Sequence, residues 1–242
     1  MKQGRESDET KKKILFAAKK EFAAKGFSGA RMSSIAAIAG VNQALLHYYF
    51  ESKENLYRSI FQNSLGEIPD KISKIIQDEI NSWKPSPDIE LCAALYILVG
   101  LHFDIHDEDF HKICSREIAE GNGIIHEFVK NYMIPRIVLL DKTIQRGVQQ
   151  GIFEISNTLI FTICLISFIS HFAHGEDFFK DTEFYDELYS DKKEKLYNFV
   201  VEMSFKSLRP SGKALKIPVL DNEKKERLNQ ILKNLDSLIE KL

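Results

Sequence analysis

Gln43 stands near the head of a short run, GVNQALLHYYF (Gly40–Phe50), whose side chains suit recognition of a nucleic acid. A glutamine amide accepts and donates side by side, which matches the edge of an adenine in a DNA major groove. Ala44 and Leu45, next in sequence, have the size to touch a thymine methyl. His47, Tyr48 and Lys53 supply donors for phosphate oxygens, contacts that position a protein on DNA without reading its sequence. Arg31, twelve residues before Gln43, adds a further cation for phosphate. Asn42 is a good N-cap, so the run reads as a helix from Gln43 to Tyr49 entered through a Gly40-Val41-Asn42 turn.

Three neighbouring segments are needed to hold that helix. Ile14, Ala17, Ala18 and Phe22 recur at three- and four-residue spacing within a pattern from about Asp8 to Lys25, while Lys11–Lys13, Lys19 and Lys20 lie largely off that face. Gly26 is expected to end this first helix in the left-handed conformation, with Phe27 folding back as its apolar partner. A second helix, about Met32 to Ala39, turns Ile35, Ala36 and Ala39 inward, and Ser33 is the candidate cap at its start. Ser52 caps a fourth helix through Leu56, Tyr57, Ile60, Phe61 and Leu65 that stops near Pro69. Two short helices joined by a Gly-containing turn make a helix-turn-helix over about 31–50. Spacing alone leaves open a plain helical hairpin, since αα-corners are common in ordinary helical proteins.

Charge separates the ends of the chain. Residues 1–61 hold 11 Lys and Arg against 6 Asp and Glu, whereas the remaining 181 residues hold 22 against 29. A basic first quarter on an acidic body suits a polyanion partner for the first part alone. Cys92, Cys114 and Cys164 are widely spaced with no C-x-x-C pair, so neither a disulfide framework nor a zinc finger is expected, and the cytoplasm is the expected compartment. The charged N-terminal residues do not resemble a secretory signal. Between Glu154 and Glu176 no charged residue occurs, but polar residues interrupt the apolar run, so a buried bundle or interface helix is expected there and no membrane span.

The segments ILFAAKKEFAAKGF (14–27) and IAAIAGVNQALLHYYFESKENLY (35–57), with Thr10 before them, resemble the TetR/AcrR family of bacterial transcriptional regulators. The resemblance covers about 50 residues and rests on A-x-x-x-F-x-x-x-G-F, I-A-x-x-A-G-V and Y-x-F-x-S-K-E-x-L. It implies an all-α protein: a three-helix DNA-binding domain, here 1–69, joined to a helical ligand-binding and dimerisation domain, here 70–242. It also implies a dimer on palindromic double-stranded operator DNA, most often a repressor released by a small molecule. An activator or a ligand-independent regulator would have the same sequence features. The chain departs from the family at Ala30 and Arg31, where Thr or Ser is usual, at Leu45, which replaces a common Thr, and at His47, which replaces a usual Tyr.

The C-terminal body reads as helices near 70–83, 88–104, 108–120, 123–149, 157–174, 185–208 and 222–241, with Pro135 kinking the fourth of these. Helices 157–174 and 185–208 are the expected dimer interface, with Ile166 as its probe. Tyr96, Phe103, His106, Tyr132 and Phe168 are candidates to line a pocket for an unidentified effector. His102 and His106 have metal-ligand spacing, with His111 and Cys114 nearby in sequence, but flanking acids look like a helix end, and no metal or other cofactor is expected. Glu117, Glu120 and Glu127 read as a solvated face. No nucleophile–base set and no phosphate-cradling glycine loop occurs, so an enzyme is not expected. An all-α enzyme or scaffold with the same hairpin is the competing class, and the basic asymmetry and full motif argue against it.

Overall fold

The computed structural model describes the backbone of residues 2–65, 67–104, 107–121 and 123–240, and the side chains of 7–64, 71–103, 107–121 and 123–234. Every regular element among the described residues is helical. In order they are α1 (Lys2–Gly29), α2 (Met32–Ala39), α3 (Gln43–Phe50), α4 (Lys53–Leu65), α5 (Glu67–Ser82), α6 (Pro87–Asp104), α7 (Glu108–Glu120) and α8 (Ile124–Phe128). A π-helical turn (Val129–Met133) leads into α9 (Ile134–Gln149), followed by α10 (Thr158–His174), α11 (Glu176–Phe179), α12 (Tyr185–Tyr189), α13 (Lys192–Ser207) and α14 (Asn222–Glu240). No single described helix is long and apolar enough to cross a membrane.

Two compact units arise, the first chiefly Met1–Ser73 with Asp107–Met133, the second Lys74–His106 with Ile134–Ser237. The sequence reading put the helices of 108–133 with the C-terminal body; in the structure they pack with α1–α4. The core of the first unit is the apolar stripe read from the sequence: Ile14, Ala18, Phe22, Ile35, Leu46, Phe50, Leu56, Tyr57 and Phe61 are all buried. Burying each large member contributes roughly 1.5–3 kcal/mol. Rings form a chain through this core, with Phe22 against Tyr57 at 4.8 Å, Tyr57 against Phe61 at 5.3 Å and Phe61 against Phe128 at 5.2 Å.

Gly26 has the expected positive φ, 69°, but its ψ of 174° is extended, so α1 bends there and runs on to Gly29. Gly40 is left-handed (φ 67°, ψ 32°), and its N–H and that of Val41 take up the carbonyls at the end of α2. Glu117 departs most from expectation. Far from lying on a solvated face, it is 1% exposed, its carboxylate accepting from the Tyr57 hydroxyl at 3.1 Å and from the Ile124 N–H at 3.1 Å. Burial, and next the Glu117 charge, push the Tyr57 hydroxyl far above its ordinary range, so it stays a donor. Glu120 and Glu127 are exposed as expected, Glu127 paired with Arg58 at 2.6 Å. Lys19 pairs with Asp107, and Arg116 donates to the Ala24 carbonyl at 3.1 Å, so α1 and α7 are joined by polar contacts as well.

In the second unit α6 packs against α9, α10 and α13. It is apolar all round, and Leu91, Cys92, Ala93, Leu95, Tyr96, Ile97 and Val99 are all buried. Glu90, buried at its start, accepts from the Thr143 hydroxyl at 2.8 Å and pairs with Arg146, so its charge is compensated. Pro135 does more than kink a helix: the 123–149 pattern becomes α8, the π turn and α9. A proline ring crowds the carbonyl four residues back, and the wider π turn ahead of α9 relieves that clash. Pattern 185–208 also divides, into α12 and α13, at Asp191 with φ 51°. Pro69 does not end α4; it sits in the first turn of α5, where a missing N–H costs nothing.

One face of α10 is exposed among the described residues. Leu159, Ile160, Ile163 and Phe168 are 37–60% exposed, and Phe199 of α13, 53% exposed, lies 5.8 Å from Phe168. Ile166 is half-buried and belongs to the flank of this stripe, not to its centre.

Candidate nucleic-acid interface

The anchor of α3 is its inward side. Leu46 is 0% exposed and Phe50 3%, and both sit in the core with Ile35 and Phe22. Asn42 caps the helix as its type predicts, its Oδ1 accepting from the Leu45 N–H at 2.7 Å. Gln43, Ala44, His47 and Tyr48 then share the outward face, and Tyr48 is 79% exposed. Leu45, expected on that face, is half-buried, because its position rotates it toward the flank. Tyr49 turns the other way, and its hydroxyl donates to Ser7 of α1 at 3.2 Å.

His47 is held in one orientation. Its Nδ1 lies 3.1 Å from the Glu51 carbonyl, an oxygen that can only accept, so Nδ1 carries the proton. A neutral ring therefore turns an Nε2 lone pair outward, and only the imidazolium can donate from that nitrogen to a phosphate. Glu51 ends α3 at φ 60°, a strained value for a residue with a side chain, with its N–H on the His47 carbonyl at 2.8 Å.

Two of the expected contacts have other work. Lys53 points back into its own domain, its ammonium donating to the carbonyls of Phe27 at 2.9 Å and Ala30 at 3.2 Å and lying 4.6 Å from the Phe27 ring centre. It closes the end of α1, where carbonyls lack helical partners, and this is why a lysine expected at phosphate is half-buried. Ser33 is exposed inside the first turn of α2 and caps nothing; the N-cap is Arg31, which makes no side-chain cap bond. Glu21, 4% exposed, takes the cap's place from α1, accepting from the Arg31 N–H at 3.5 Å and from Lys25 at 2.8 Å. Burial works to raise its pKa, but the bonds from Lys25, Ser34 and Arg31 outweigh it and the carboxyl ends below its ordinary range. The Arg31 side chain itself is exposed and available to DNA.

Residues 14–60 match the family model for bacterial regulatory proteins, tetR family. The chain carries a TetR-family N-terminal domain. Beyond it, the chain is similar to the fatty acid metabolism regulator protein of Bacillus subtilis (strain 168), 21% identical over 57% of this chain and 68% of that protein. It is 44% identical to the HTH-type transcriptional regulator RutR of Escherichia coli (strain K12), over 26% of this chain and 30% of that one. The chain thus spans less than a third of the second relative's length. A similar fold occurs in the transcriptional regulator FadR from Bacillus subtilis in complex with stearoyl-CoA, with a TM-score of 0.56 and 19% identity over 79% of this chain and 95% of that chain. RutR and FadR are transcriptional regulators, and the first relative is a regulator of fatty acid metabolism.

Outside the TetR-family domain, the expected pocket rings have separate surroundings. Tyr96 is buried, edge-to-face on Tyr197 at 5.1 Å, with its hydroxyl donating to Asn229 at 2.9 Å. Phe103 lies under Lys192 at 5.3 Å. Phe168 belongs to the exposed stripe of α10, and Tyr132, in the first unit, stacks on Phe128 at 5.6 Å. His106 lies outside the described residues. His102 meets His174 of α10, ring centres 5.6 Å apart. Among the described residues no three His, Cys, Asp or Glu side chains gather as metal ligands.

Proposed function

We propose that this chain is a DNA-binding transcriptional regulator that sits as a homodimer on a palindromic operator, in the cytoplasm, and is released from it by a small molecule. The observation that carries the reading is the outward face of α3: Gln43, Ala44, His47 and Tyr48 are exposed together on a helix locked from behind by Leu46 and Phe50. A rigid helix with that face fits a major groove, Gln43 reading an adenine edge and Arg31, His47 and Tyr48 engaging phosphate. Ser33, Asn42, Leu45 and Lys53 support the reading indirectly, Asn42 and Lys53 as structural ties of the head.

The exposed stripe of α10 with Phe199 of α13 supports a dimer of four helices, two from each copy, since an apolar patch of that kind is rarely left in water. Two α3 helices must lie about 34–36 Å apart to meet successive turns of one groove. A ligand favouring a different separation shifts the population off DNA. Within the first unit, Glu117 ties α4 to α7 and α8, which gives a shift of α7 a direct route to the head. The fatty acid regulator and the stearoyl-CoA complex favour an effector with an apolar chain, and the similar HTH-type transcriptional repressor NicS favours repression as the mode.

The test is a titration of the protein against DNA from immediately upstream of its own gene, across salt. Log affinity is expected to fall linearly with log salt, as phosphate contacts require. Binding to this DNA no tighter than to random DNA, or without a salt slope, would overturn the regulator reading.

A further inference from the structure

The fourth side of α6 is covered by the chain's own C-terminal segment. Residues 209–221 form no regular structure and lead into α14. Over the α6–α13 seam, the Cys92 thiol meets the Pro218 carbonyl at 3.6 Å and the Tyr96 hydroxyl meets Asn229 at 2.9 Å. The Lys225 ammonium lies 5.7 Å from the Tyr96 ring and 5.1 Å from that of Tyr197. Cys92, Tyr96 and Tyr197 are all nearly inaccessible. Without this cover, an apolar strip of thiol and two aromatic rings would face water.

The cover is lightly fastened. Among its described side chains only Leu220, Leu228 and Leu232 are buried apolar anchors. Ties at its rim include Ser211 N–H to Glu154 at 2.7 Å, Lys213 to the Gly151 carbonyl at 2.6 Å, Lys225 to Glu194 at 2.9 Å and Arg227 to Glu79 at 3.1 Å. Exposed charge pairs of this kind add little to stability. In the lead-in, Leu215 and Ile217 are only partly covered and Val219 is 82% exposed, so Leu220 is its one fully buried apolar side chain. At the other end a cleft of about 250 Å³ remains between Trp83 and the first turn of α14, lined by Glu223, Lys224 and Arg227. Few buried contacts among the described side chains and a long irregular lead are the marks of an element that opens below the cost of global unfolding.

We propose that residues 209–234 form a detachable strap, which opens as a unit while the helices beneath stay folded and so exposes the Cys92–Tyr96–Tyr197 strip between α6 and α13. The strap governs access to the apolar interior of the second unit from this side. Its closed state also silences Cys92, whose thiol is pushed up to about 12 by burial and next by Asp88.

Cys92 reports on the opening. In full-length protein with Cys114→Ser and Cys164→Ser, alkylation of Cys92 by iodoacetamide is followed at low urea. Labelling is expected with a weak urea dependence, far below that of global unfolding followed by helical circular dichroism. Leu228→Ala should speed it roughly 10- to 100-fold while the global midpoint moves little. Tyr96→Phe, which removes only the bond to Asn229, should speed it by a smaller factor and guards against a Leu228 variant that fails to fold. Labelling of both variants with the full urea dependence of global unfolding, in step with the midpoint, would show that the segment is integral core and overturn the proposal.

Discussion

Ile163→Glu is expected to turn the dimer into a monomer and to cut affinity for a two-half-site operator by roughly 10²–10⁴-fold, the factor lost when two linked sites bind separately. Ile163 lies mid-stripe on α10, 46% exposed, with Ile160 one turn before it at 60% and Phe168 beyond it at 37%. A carboxylate there costs nothing in a monomer, because water already reaches the position. In a closed apolar interface it would be buried without a partner, at several kcal/mol per copy. The variant should therefore keep its helix content and its melting midpoint at low concentration while its mass by light scattering halves. Ile166→Glu is the informative contrast. That residue is half-buried in the monomer, so its substitution should lower stability as well as association. A dimeric Ile163→Glu protein would place the interface elsewhere.

The second large effect is expected at Glu117→Ala. The side chain accepts two hydrogen bonds in a site closed to water, from Tyr57 on α4 and from the Ile124 N–H at the start of α8. Removing it leaves two buried donors unpaired and a cavity of its volume. Each orphaned donor costs about 1–3 kcal/mol, so roughly 2–6 kcal/mol of stability is expected to be lost. Urea unfolding measures it, and Tyr57→Phe, which removes one donor with its bond, should cost much less. A loss under about 0.5 kcal/mol, the level of an ordinary surface substitution, would mean that Glu117 is solvated and that its contact does not join α4 to α7.

The first fifty residues were the most readable part of the chain because their signals are local. Apolar spacing at Ile14, Ala18 and Phe22, the Gly40 turn, and the Asn42 and Ser52 caps each depend on neighbours within four residues, and the structure has them all. What escaped the sequence depends on partners far along the chain. Nothing near Glu117 reveals that Tyr57, sixty residues earlier, will meet it in the core, so a carboxylate on a polar-looking helix reads as surface. Lys53 is spent on carbonyls 23 and 26 residues away, and Glu21 caps a helix whose own first residues offered a serine for the task. Aromatic residues in the C-terminal body were visible as a class, but their partners Tyr197, Lys192 and Phe199 come from other helices, which periodicity does not address. The two long patterns that divide, at Pro135 and at Asp191, differ in kind: the proline announced its break, whereas a left-handed aspartate within a charged stretch gave no signal.

Gln43 carries the central claim, that the outward face of α3 reads base pairs. The direct measurement is the affinity of Gln43→Ala and of the unaltered protein for an operator found upstream of the gene and for random DNA of equal length, at one salt concentration. One lost bidentate contact is worth about 1–3 kcal/mol of discrimination, so operator affinity should fall roughly 10- to 100-fold while random-DNA affinity holds. An equal loss on both DNAs, or none on either, would contradict the assignment of α3 as the reading helix.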